Sequence, residues 1–415
     1  MLAVVAALVF AAASSVAHPT SGGAEVVARS LPSTWYHEEG HPAHKLFRRQ
    51  QSYPQPGSPE WTKKYPSGKL SPSQTPPEWT TALNNAIAAG LIPSNVPVAS
   101  ASGSYRNSSG TMDPGKAPIC ASNVDCKDEN QTYDVPDGLV AISFDDGPEA
   151  GSKELYSFLR EHKQKVTHFY IGGNILTHPD LFMEAFDQNG DDMAVHTWSH
   201  PHMPRLSNEL VLAELGWTMQ IIHDSTGGRL PRYWRPPYGE SDTRVRAIAK
   251  HVFGLHTVIW NHDTDDWNIG TGQTVAGATA ILTKAYKGPK SPGLNILEHE
   301  LTAECVKVFK DTYPMIAANG WKGVSIPDAL GASWYLNAAD NASPVTDRPV
   351  AGGPNGTVTG GSSAGSGAGP SGTATGTIAP STTAQPGSGA NSAMGMGVSS
   401  ALVGLVALVG SLLTV

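Results

Sequence analysis

The stretch Leu139–Pro148, LVAISFDDGP, introduces the pattern from which the fold can be predicted. An almost continuous apolar run ends in two aspartates, a glycine and a proline, as a buried strand does where it enters a turn. The amphipathic run over 153–161 follows closely and has the spacing of a helix. A strand followed by a helix predicts the first unit of a parallel sheet.

The same alternation continues across residues 119–338. Further short apolar runs, separated by amphipathic ones, lie at 166–171, 193–196, 233–235, 255–260, 295–297 and 323–326. Counting the runs gives about seven strands. We therefore expect an α/β fold, a distorted (β/α) barrel of about seven parallel strands, whose catalytic side chains gather at the C-terminal strand ends.

Composition divides the remaining chain. Residues 1–17 are almost wholly apolar and end in small residues, which predicts a secretory signal peptide. Residues 18–117 are rich in Pro, Ser and Gly with one plausible helix over 78–89, so this N-terminal extension is expected to pack loosely or to wrap a neighbouring domain. Residues 118–338 are expected to form the catalytic domain. Residues 339–400, rich in Gly, Ser and Thr, predict a disordered stalk.

The last residues, 401–415, form a second short apolar run, and the small residues before it include Ser388 and Asn391. This is the pattern of a glycosylphosphatidylinositol (GPI) anchor signal, with Ser388 and Asn391 as candidate attachment sites. A terminal membrane helix is the alternative, but the run is shorter than the ~20 residues that a spanning helix needs. We therefore expect a secreted protein that is held at the plasma membrane by a GPI anchor.

The cysteines and the glycosylation signals agree with a secretory route, and the net charge indicates which partners are compatible with the chain. The three cysteines, Cys120, Cys126 and Cys305, predict one disulfide and one leftover thiol, and the sequence does not decide which two pair. The formal net charge of −8 argues against nucleic acid as a partner, because phosphate binding needs concentrated Lys and Arg, and it is compatible with a neutral polymer. Four Asn-x-Ser/Thr sites are expected to be glycosylated, at Asn107, Asn130, Asn341 and Asn355.

Two polar motifs could together hold a divalent metal ion. Asp145 and Asp146 end the first strand, and His196 and His200 follow the third. Two imidazoles and one carboxylate fill three corners of a tetrahedral site and leave the fourth open for water, so the second carboxylate is free to act as a base. Taken separately, the aspartates are compatible with an ordinary turn and the histidines with a pair of surface residues.

Three further motifs follow later strands. Arg235–Gly239 (RPPYG) is stiffened by its prolines, Asp263–Trp267 (DTDDW) crowds three carboxylates beside an aromatic ring, and Leu297–His299 (LEH) ends in an imidazole. Each has a simpler interpretation, namely a rigid loop with a solvated arginine, an acidic turn and a structural histidine. Their joint placement at strand ends, in this order, favours a catalytic site.

In this order the five motifs resemble those of the polysaccharide deacetylases, carbohydrate esterase family 4, which carry the NodB homology domain, and among them the fungal chitin deacetylases. The resemblance spans residues 138–326. It implies a NodB-like barrel and metal-dependent hydrolysis of the N-acetyl groups of chitin, to chitosan and acetate, in fungal cell wall remodelling. The implied cofactor is Zn²⁺ or Co²⁺, and the implied substrate is chitin or N-acetylglucosamine oligomers. A wall-binding protein without activity and an esterase acting on acetylated xylan are the rival functions.

The resemblance also implies a role for each site residue. Asp145 is expected to be the catalytic base, oriented by Arg235, and His299 the general acid. Among the acids of the fourth motif, Asp263 is preferred to Asp266 as the partner of His299. The metal ligands are expected to be Asp146, His196 and His200, with the Tyr238 N–H as oxyanion donor.

Tryptophans beside these motifs could also contact the substrate. Trp198, Trp260 and Trp267 are candidates for a face on which sugar rings stack. Packing in the core is the alternative for at least some of them, because the chain contains 10 tryptophans.

Overall fold

Residues 53–354 are described by a computed structural model of the chain. The signal peptide, Asn355, the anchor sites Ser388 and Asn391 and the apolar tail lie outside the described residues. No helix between residues 53 and 354 is both long and apolar enough to cross a membrane.

Seven parallel runs of strand form the centre of the fold, as the sequence predicts. Irregular residues divide two of these runs, the first into β4 and β5 and the fifth into β9 and β10. A short hairpin, β1 and β2, and the short strand β3 precede them. The strands are β1 (Tyr105–Asn107), β2 (Gly110–Met112), β3 (Gln131–Thr132), β4 (Leu139–Ala141), β5 (Ser143–Asp145), β6 (Thr167–Tyr170), β7 (Asp192–Val195), β8 (Tyr233–Trp234), β9 (His256–Val258), β10 (His262–Asp263), β11 (Leu294–Leu297) and β12 (Lys322–Val324).

Hydrogen bonding arranges the parallel strands in two sheets, of order β3-β9-β8-β7-β6-β5 and β10-β11-β4-β12. Because β5 continues β4 and β10 continues β9, the chain passes from one sheet to the other at two places. The Asp145 N–H donates to the Glu298 carbonyl, and the Asn261 N–H to the Asn295 carbonyl, each at 2.9 Å. The two sheets therefore curl into one distorted barrel, and the predicted α/β barrel is confirmed.

Helices follow most of the barrel strands, and polar side chains begin several of them. Ser207, Asp242 and Thr302 each accept a hydrogen bond from a backbone N–H of the first turn that follows. The α-helices are α1 (Pro59–Thr62), α2 (Pro77–Ala88), α3 (Ser152–His162), α4 (Gly172–Thr177), α5 (Pro179–Met183), α6 (Asn208–Ser225), α7 (Thr243–Ile248), α8 (Val275–Tyr286), α9 (Ala303–Ala318) and α10 (Ile326–Leu330). Short 3₁₀ segments lie at Pro72–Gln74, Ser122–Val124, Met203–Arg205, Pro237–Gly239 and Asp266–Asn268, and π segments at Glu184–Asn189 and Ala249–Phe253.

Alternate side chains of the strands belong to different apolar clusters. Ala194 and Tyr233 are in a small cluster formed mainly by strand residues, whereas Val195 is in the large cluster that includes the helices. Successive strand residues point to opposite faces of a sheet. His196 and Arg235, each two residues after a member of the small cluster, therefore face the barrel interior at the C-terminal strand ends.

The N-terminal segment, over residues 53–117, wraps the barrel. Trp61, Tyr65 and Trp79 are at most 7% exposed and belong to the large cluster with the barrel helices. The indole N–H of Trp61 donates to Ser225 Oγ at 3.1 Å. Of the two predicted alternatives, loose packing is wrong for this segment, because a few aromatic anchors suffice to attach a Pro-rich chain. Helix α2 confirms the predicted helix.

The predicted stalk begins too early. Val350 and Ala351 are buried in the large cluster, and Arg348 donates to the Leu336 carbonyl at 3.4 Å. Residues 339–354 therefore belong to the folded part, and the boundary at 339 is wrong. Average composition conceals these few anchoring residues.

The disulfide joins Cys120 to Cys126, and Cys305 is a buried free thiol on α9. The pairing that the sequence left open is thus the local one, which closes a loop immediately before the barrel.

The three glycosylation sites within residues 53–354 differ in their surroundings. Asn107 is exposed, and Asn130 accepts a hydrogen bond from Lys250 Nζ at 2.5 Å. The side-chain nitrogen of Asn341, the atom that would carry a glycan, donates to the buried Asp191 carbonyl at 2.8 Å. Glycosylation at these three sites stays a prediction.

Candidate active site

Three side chains converge where β5 and β7 end. The Nε2 atoms of His196 and His200 each lie 3.3 Å from Oδ1 of Asp146. One ligand atom from each residue lies within 4.8 Å of the other two. Two imidazole nitrogens and one carboxylate oxygen are a donor set that suits zinc and similar divalent ions, so the predicted ligands do come together.

The surroundings of these atoms fit a cation. Oδ1 of Asp146 is buried and has no hydrogen-bond partner among residues 53–354, and a buried unpaired oxygen is costly unless a partner satisfies it. The Nδ1 atom of His196 lies 2.7 Å from the Arg235 carbonyl oxygen. We assign the imidazole proton to Nδ1 because a carbonyl only accepts, so the lone pair on Nε2 faces Asp146.

The backbone of the site is bent at its ligands. Asp146, Thr197 and His200 have φ values of 72°, 67° and 56°. Non-glycine residues adopt this left-handed region rarely, and such residues are concentrated at functional sites. The bends follow directly after the strands that carry the site, and they bring Asp146 and His200 close to His196.

Glu214, on α6, holds the loop between His196 and His200. Its Oε2 accepts hydrogen bonds from the Trp198 and Ser199 N–H groups at 2.9 Å, and its Oε1 accepts one from the Ser199 hydroxyl at 2.7 Å. Burial raises the pKa of Glu214, and these hydrogen bonds oppose the rise. Sequence reasoning missed this residue, although a glutamate among the apolar residues of 208–224 was a signal.

Asp145 lies beside the ligands and is fixed by Arg235. Its Oδ1 accepts from Arg235 Nη1 at 2.7 Å, and its Oδ2 lies 3.8 Å from His196 Nε2. Arg235 is fully buried, and its Nη2 donates to Asn295 Oδ1 at 3.3 Å. The predicted contact between Arg235 and Asp145 is confirmed, and Asn295 is an additional support that the sequence did not indicate.

His299 is held by Asp266 rather than by Asp263. Its Nδ1 donates to Asp266 Oδ1 at 2.6 Å, and its backbone N–H donates to Asp266 Oδ2 at 2.8 Å. The Asp263 carboxylate instead accepts from the Asp265 N–H at 2.8 Å. The preference for Asp263 is therefore wrong. Asp265, with φ 55°, turns the chain after β10, and the turn buries Asp266 beside the imidazole.

Burial and neighbouring charges shift the pKa values of the site residues in different directions. Burial and the neighbouring His196 lower the pKa of His200 to about 4, so His200 is neutral at neutral pH. Burial favours the neutral form of Asp146 too, but the neighbouring His196 lowers its pKa overall. Although burial opposes protonation of His299, the charge of Asp266 raises its pKa to about 9. The Nε2 of His299 lies 4.0 Å from Asp146 Oδ2, so a protonated imidazole borders the ligand set.

The aromatic residues near the site divide into buried and exposed ones. Trp198 is 2% exposed and packs in the core, which favours the core-packing alternative for this residue. Trp267 is 55% exposed, which leaves its prediction open. Tyr238 is 54% exposed, has φ 58°, and its ring lies 4.6 Å from that of His200.

A second buried network, which sequence reasoning missed, lies behind His299. His168 on β6 donates from Nδ1 to Glu300 Oε1 at 2.8 Å and contacts Asp191 Oδ2 at 3.4 Å, and all three side chains are fully buried. A Cβ on Gly147 would lie 2.3 Å from the Glu300 carboxylate. Gly147 therefore lets Glu300 approach the turn that carries the two aspartates.

Comparison with known proteins identifies relatives. Residues 132–266 match a family model described as polysaccharide deacetylase. Chitin deacetylase 3 of Cryptococcus neoformans is 42% identical over 338 residues, covering 79% of this chain and 80% of the relative. Chitin deacetylase 1 of Saccharomyces cerevisiae is 33% identical over 280 residues, covering 64% of this chain and 88% of the relative. The solved chitin deacetylase of Colletotrichum lindemuthianum aligns with a TM-score of 0.46 and 22% identity, over 49% of this chain and 94% of that one.

Proposed function

The chain belongs to the polysaccharide deacetylase family, and we propose that it hydrolyses the N-acetyl groups of chitin to leave chitosan and acetate. One observation carries the proposal. A donor set for a metal ion, a buried carboxylate tied to an arginine and a buried imidazole tied to a second carboxylate border the same small volume. Metal-assisted hydrolysis of an amide can use these three elements together, whereas binding of a glycan needs none of them.

Asp146, His196 and His200 would hold the divalent cation, which we propose to be Zn²⁺ or Co²⁺. When bound, the cation would polarise the acetyl carbonyl and acidify water. The chain supplies ligands in the required state, because burial keeps His200 neutral and the neighbouring histidines lower the pKa of Asp146, so that it is ionised.

Asp145 is the proposed base that takes a proton from the attacking water. The ion pair with Arg235 restricts its rotation, and the second carboxylate oxygen remains directed towards the ligand side, 3.8 Å from His196 Nε2. A positioned base of this kind contributes on the order of 10²–10⁴ to the rate.

His299 is the proposed acid that protonates the departing nitrogen. Asp266 accepts from its Nδ1, so the Nε2–H of the imidazolium is free to be donated. The Tyr238 N–H is proposed to stabilise the negative charge on the acetyl oxygen, and a donor of this kind is often worth about 3 kcal/mol.

Acetate release tests the proposal. The purified protein would be incubated with N-acetylglucosamine oligomers and with acetylated xylan, before and after chelation and after addition of Zn²⁺ or Co²⁺. Chelator-sensitive release of acetate from the oligomers supports the proposed function. Release from xylan alone would favour an esterase, and binding of the oligomers without release would favour a wall-binding protein.

We also propose that the protein is secreted, glycosylated, and held at the plasma membrane by a GPI anchor, with the fungal cell wall as its place of action. Exposed Asn107 and the composition of the two chain ends support this. A phospholipase specific for phosphatidylinositol should release the protein from intact cells. Retention in the membrane after that treatment would contradict the anchor.

A further inference from the structure

A cleft of about 620 Å³ opens beside the metal ligands, and its walls come from distant parts of the chain. Asp146 and His200 are among the residues that line it. Pro66, Ser67 and Gly68 of the N-terminal segment line it as well. The volume lies within the range of pockets that bind small ligands. A segment far before the barrel therefore borders the reaction centre.

The tip formed by these three residues is held firmly at its base. Tyr65, which precedes it, is buried, and its hydroxyl donates to Asp224 Oδ2 at 3.2 Å. Leu70, which follows, is also buried. Between these anchors Ser67 and Gly68 are exposed, and Gly68 has φ 75°, which reverses the chain. A spacer would need neither the anchors nor the turn.

The anchors connect the tip to the loop that carries the metal ligands. The Tyr65 ring lies 6.4 Å from that of Trp198, and the N–H of Trp198 is bound by Glu214. Asp224 and Glu214 both belong to α6. One helix therefore positions the tip and the ligand loop together, so the width of the cleft is fixed by packing.

The lining of the cleft matches a carbohydrate. Asn174, Thr177 and Ser67 offer polar groups, while Leu176 and Leu301 offer apolar surface. A sugar ring presents hydroxyl groups at its edge and C–H groups on its faces, so it can use both kinds of surface. Asn174 also donates to the Asp146 carbonyl at 2.7 Å, which joins this lining to the metal side.

We infer that the tip Pro66–Gly68 binds the sugar unit next to the one that loses its acetyl group, and thereby sets the preferred chain length. This inference rests on the proposed function. The N-terminal segment is then part of the substrate site, although it lies outside the residues that match the family model.

A matched pair of variants tests the inference. Ser67→Trp fills the cleft, and Ser73→Trp makes the same change at an exposed position of the same segment outside the cleft. Rates would be measured with the dimer and the tetramer of N-acetylglucosamine. We expect Ser67→Trp to lower the ratio of kcat/KM for tetramer over dimer about tenfold, and Ser73→Trp to leave the ratio unchanged. An unchanged ratio in Ser67→Trp, or the same change in both variants, overturns the inference.

A second measurement does not depend on turnover. Ser67→Cys and Ser73→Cys would each be labelled with a maleimide, with and without the tetramer. We expect the tetramer to slow labelling at position 67 only, and equal labelling at position 67 with and without it overturns the inference. If the tetramer protects position 67 but no acetate is ever released, the proposed function fails while the cleft remains a glycan site. If acetate is released without protection, the inference alone fails.

Discussion

Replacement of Asp266 by asparagine tests how the proposed acid is held. The two carboxylate oxygens of Asp266 accept hydrogen bonds from His299, one from the backbone N–H and one from Nδ1. Asparagine has the same shape but only one accepting oxygen, and it carries no charge. One of the two N–H groups of His299 would then face an NH₂ group, and the imidazole would lose both its orientation and its counter-charge.

The size of the effect follows from the pKa of His299. Burial lowers this pKa, but Asp266 is the largest influence that raises it, to about 9 from the usual 6.5. At pH 8 a group of pKa 9 is about nine-tenths protonated, and one of pKa 6.5 only about one thirtieth, a loss of roughly 30-fold in the protonated form. With the lost orientation, kcat should fall on the order of 10²–10⁴. The falling alkaline limb of the pH profile should move to lower pH by about 2 units.

Asp263→Asn is the matched control. Within the part of the chain that the structure describes, the Asp263 carboxylate accepts a hydrogen bond only from the Asp265 N–H, and an asparagine side chain can also accept it. Acetate release would be followed against pH for both variants, with the metal content of each protein measured in parallel. We expect Asp263→Asn to remain within about threefold of the unaltered enzyme, as exposed or half-buried substitutions usually do. A shifted alkaline limb in Asp263→Asn, together with an unshifted limb in Asp266→Asn, would refute the assignment.

Three other outcomes are expected. His200→Ala should lose bound metal, whereas Asp145→Asn should keep the metal and lose turnover. Measuring metal content together with acetate release distinguishes the two variants, and loss of metal in both would contradict the assignment of His200 as a ligand and Asp145 as the base. The free energy of unfolding should decrease as pH rises from about 6.5 through about 9. Burial lowers the pKa of His168, but the charge of Glu300 raises it to about 9, so the folded state retains a proton that the unfolded state releases. Urea denaturation across that pH range should show the decrease, and a constant free energy of unfolding would contradict it. Trp267→Ala should raise KM for oligomers with little change in Tm, whereas Trp198→Ala should lower the free energy of unfolding by about 3–5 kcal/mol. The reverse pattern would mean that Trp198 contacts the substrate and Trp267 supports the core.

The barrel could be predicted from the sequence because its signals are local. Each apolar run is a strand within a residue or two, and each polar motif lies where a strand ends. His196 and Arg235 face the interior because of strand alternation alone, which depends on no distant contact. The aspartate pair and the two histidines could therefore be placed at the same end of the barrel, whereas the choice of Asp146 over Asp145 as a ligand came from the family resemblance.

What could not be predicted depends on contacts between distant residues. Asp263 and Asp266 are equivalent as residue types, and only the turn at Asp265 decides which carboxylate meets His299. Composition likewise could not decide whether residues 18–117 pack loosely or wrap a neighbouring domain, because wrapping depends on distant contacts such as the hydrogen bond from Trp61 to a serine 164 positions away.

The separation of the proposed base and acid is set by backbone pairing more than by side chains. Asp145 and His299 are bridged as neighbours on parallel strands, and the Asp145 N–H donates to Glu298 on the same ladder. The spacing between two hydrogen-bonded strands varies little. A substitution at a distance should therefore change the orientation of a side chain rather than the gap between the strands. His168 contacts Glu300, which follows the acid directly in the chain. Loss of His168 should therefore destabilise the fold before it changes the distance across which the substrate must fit.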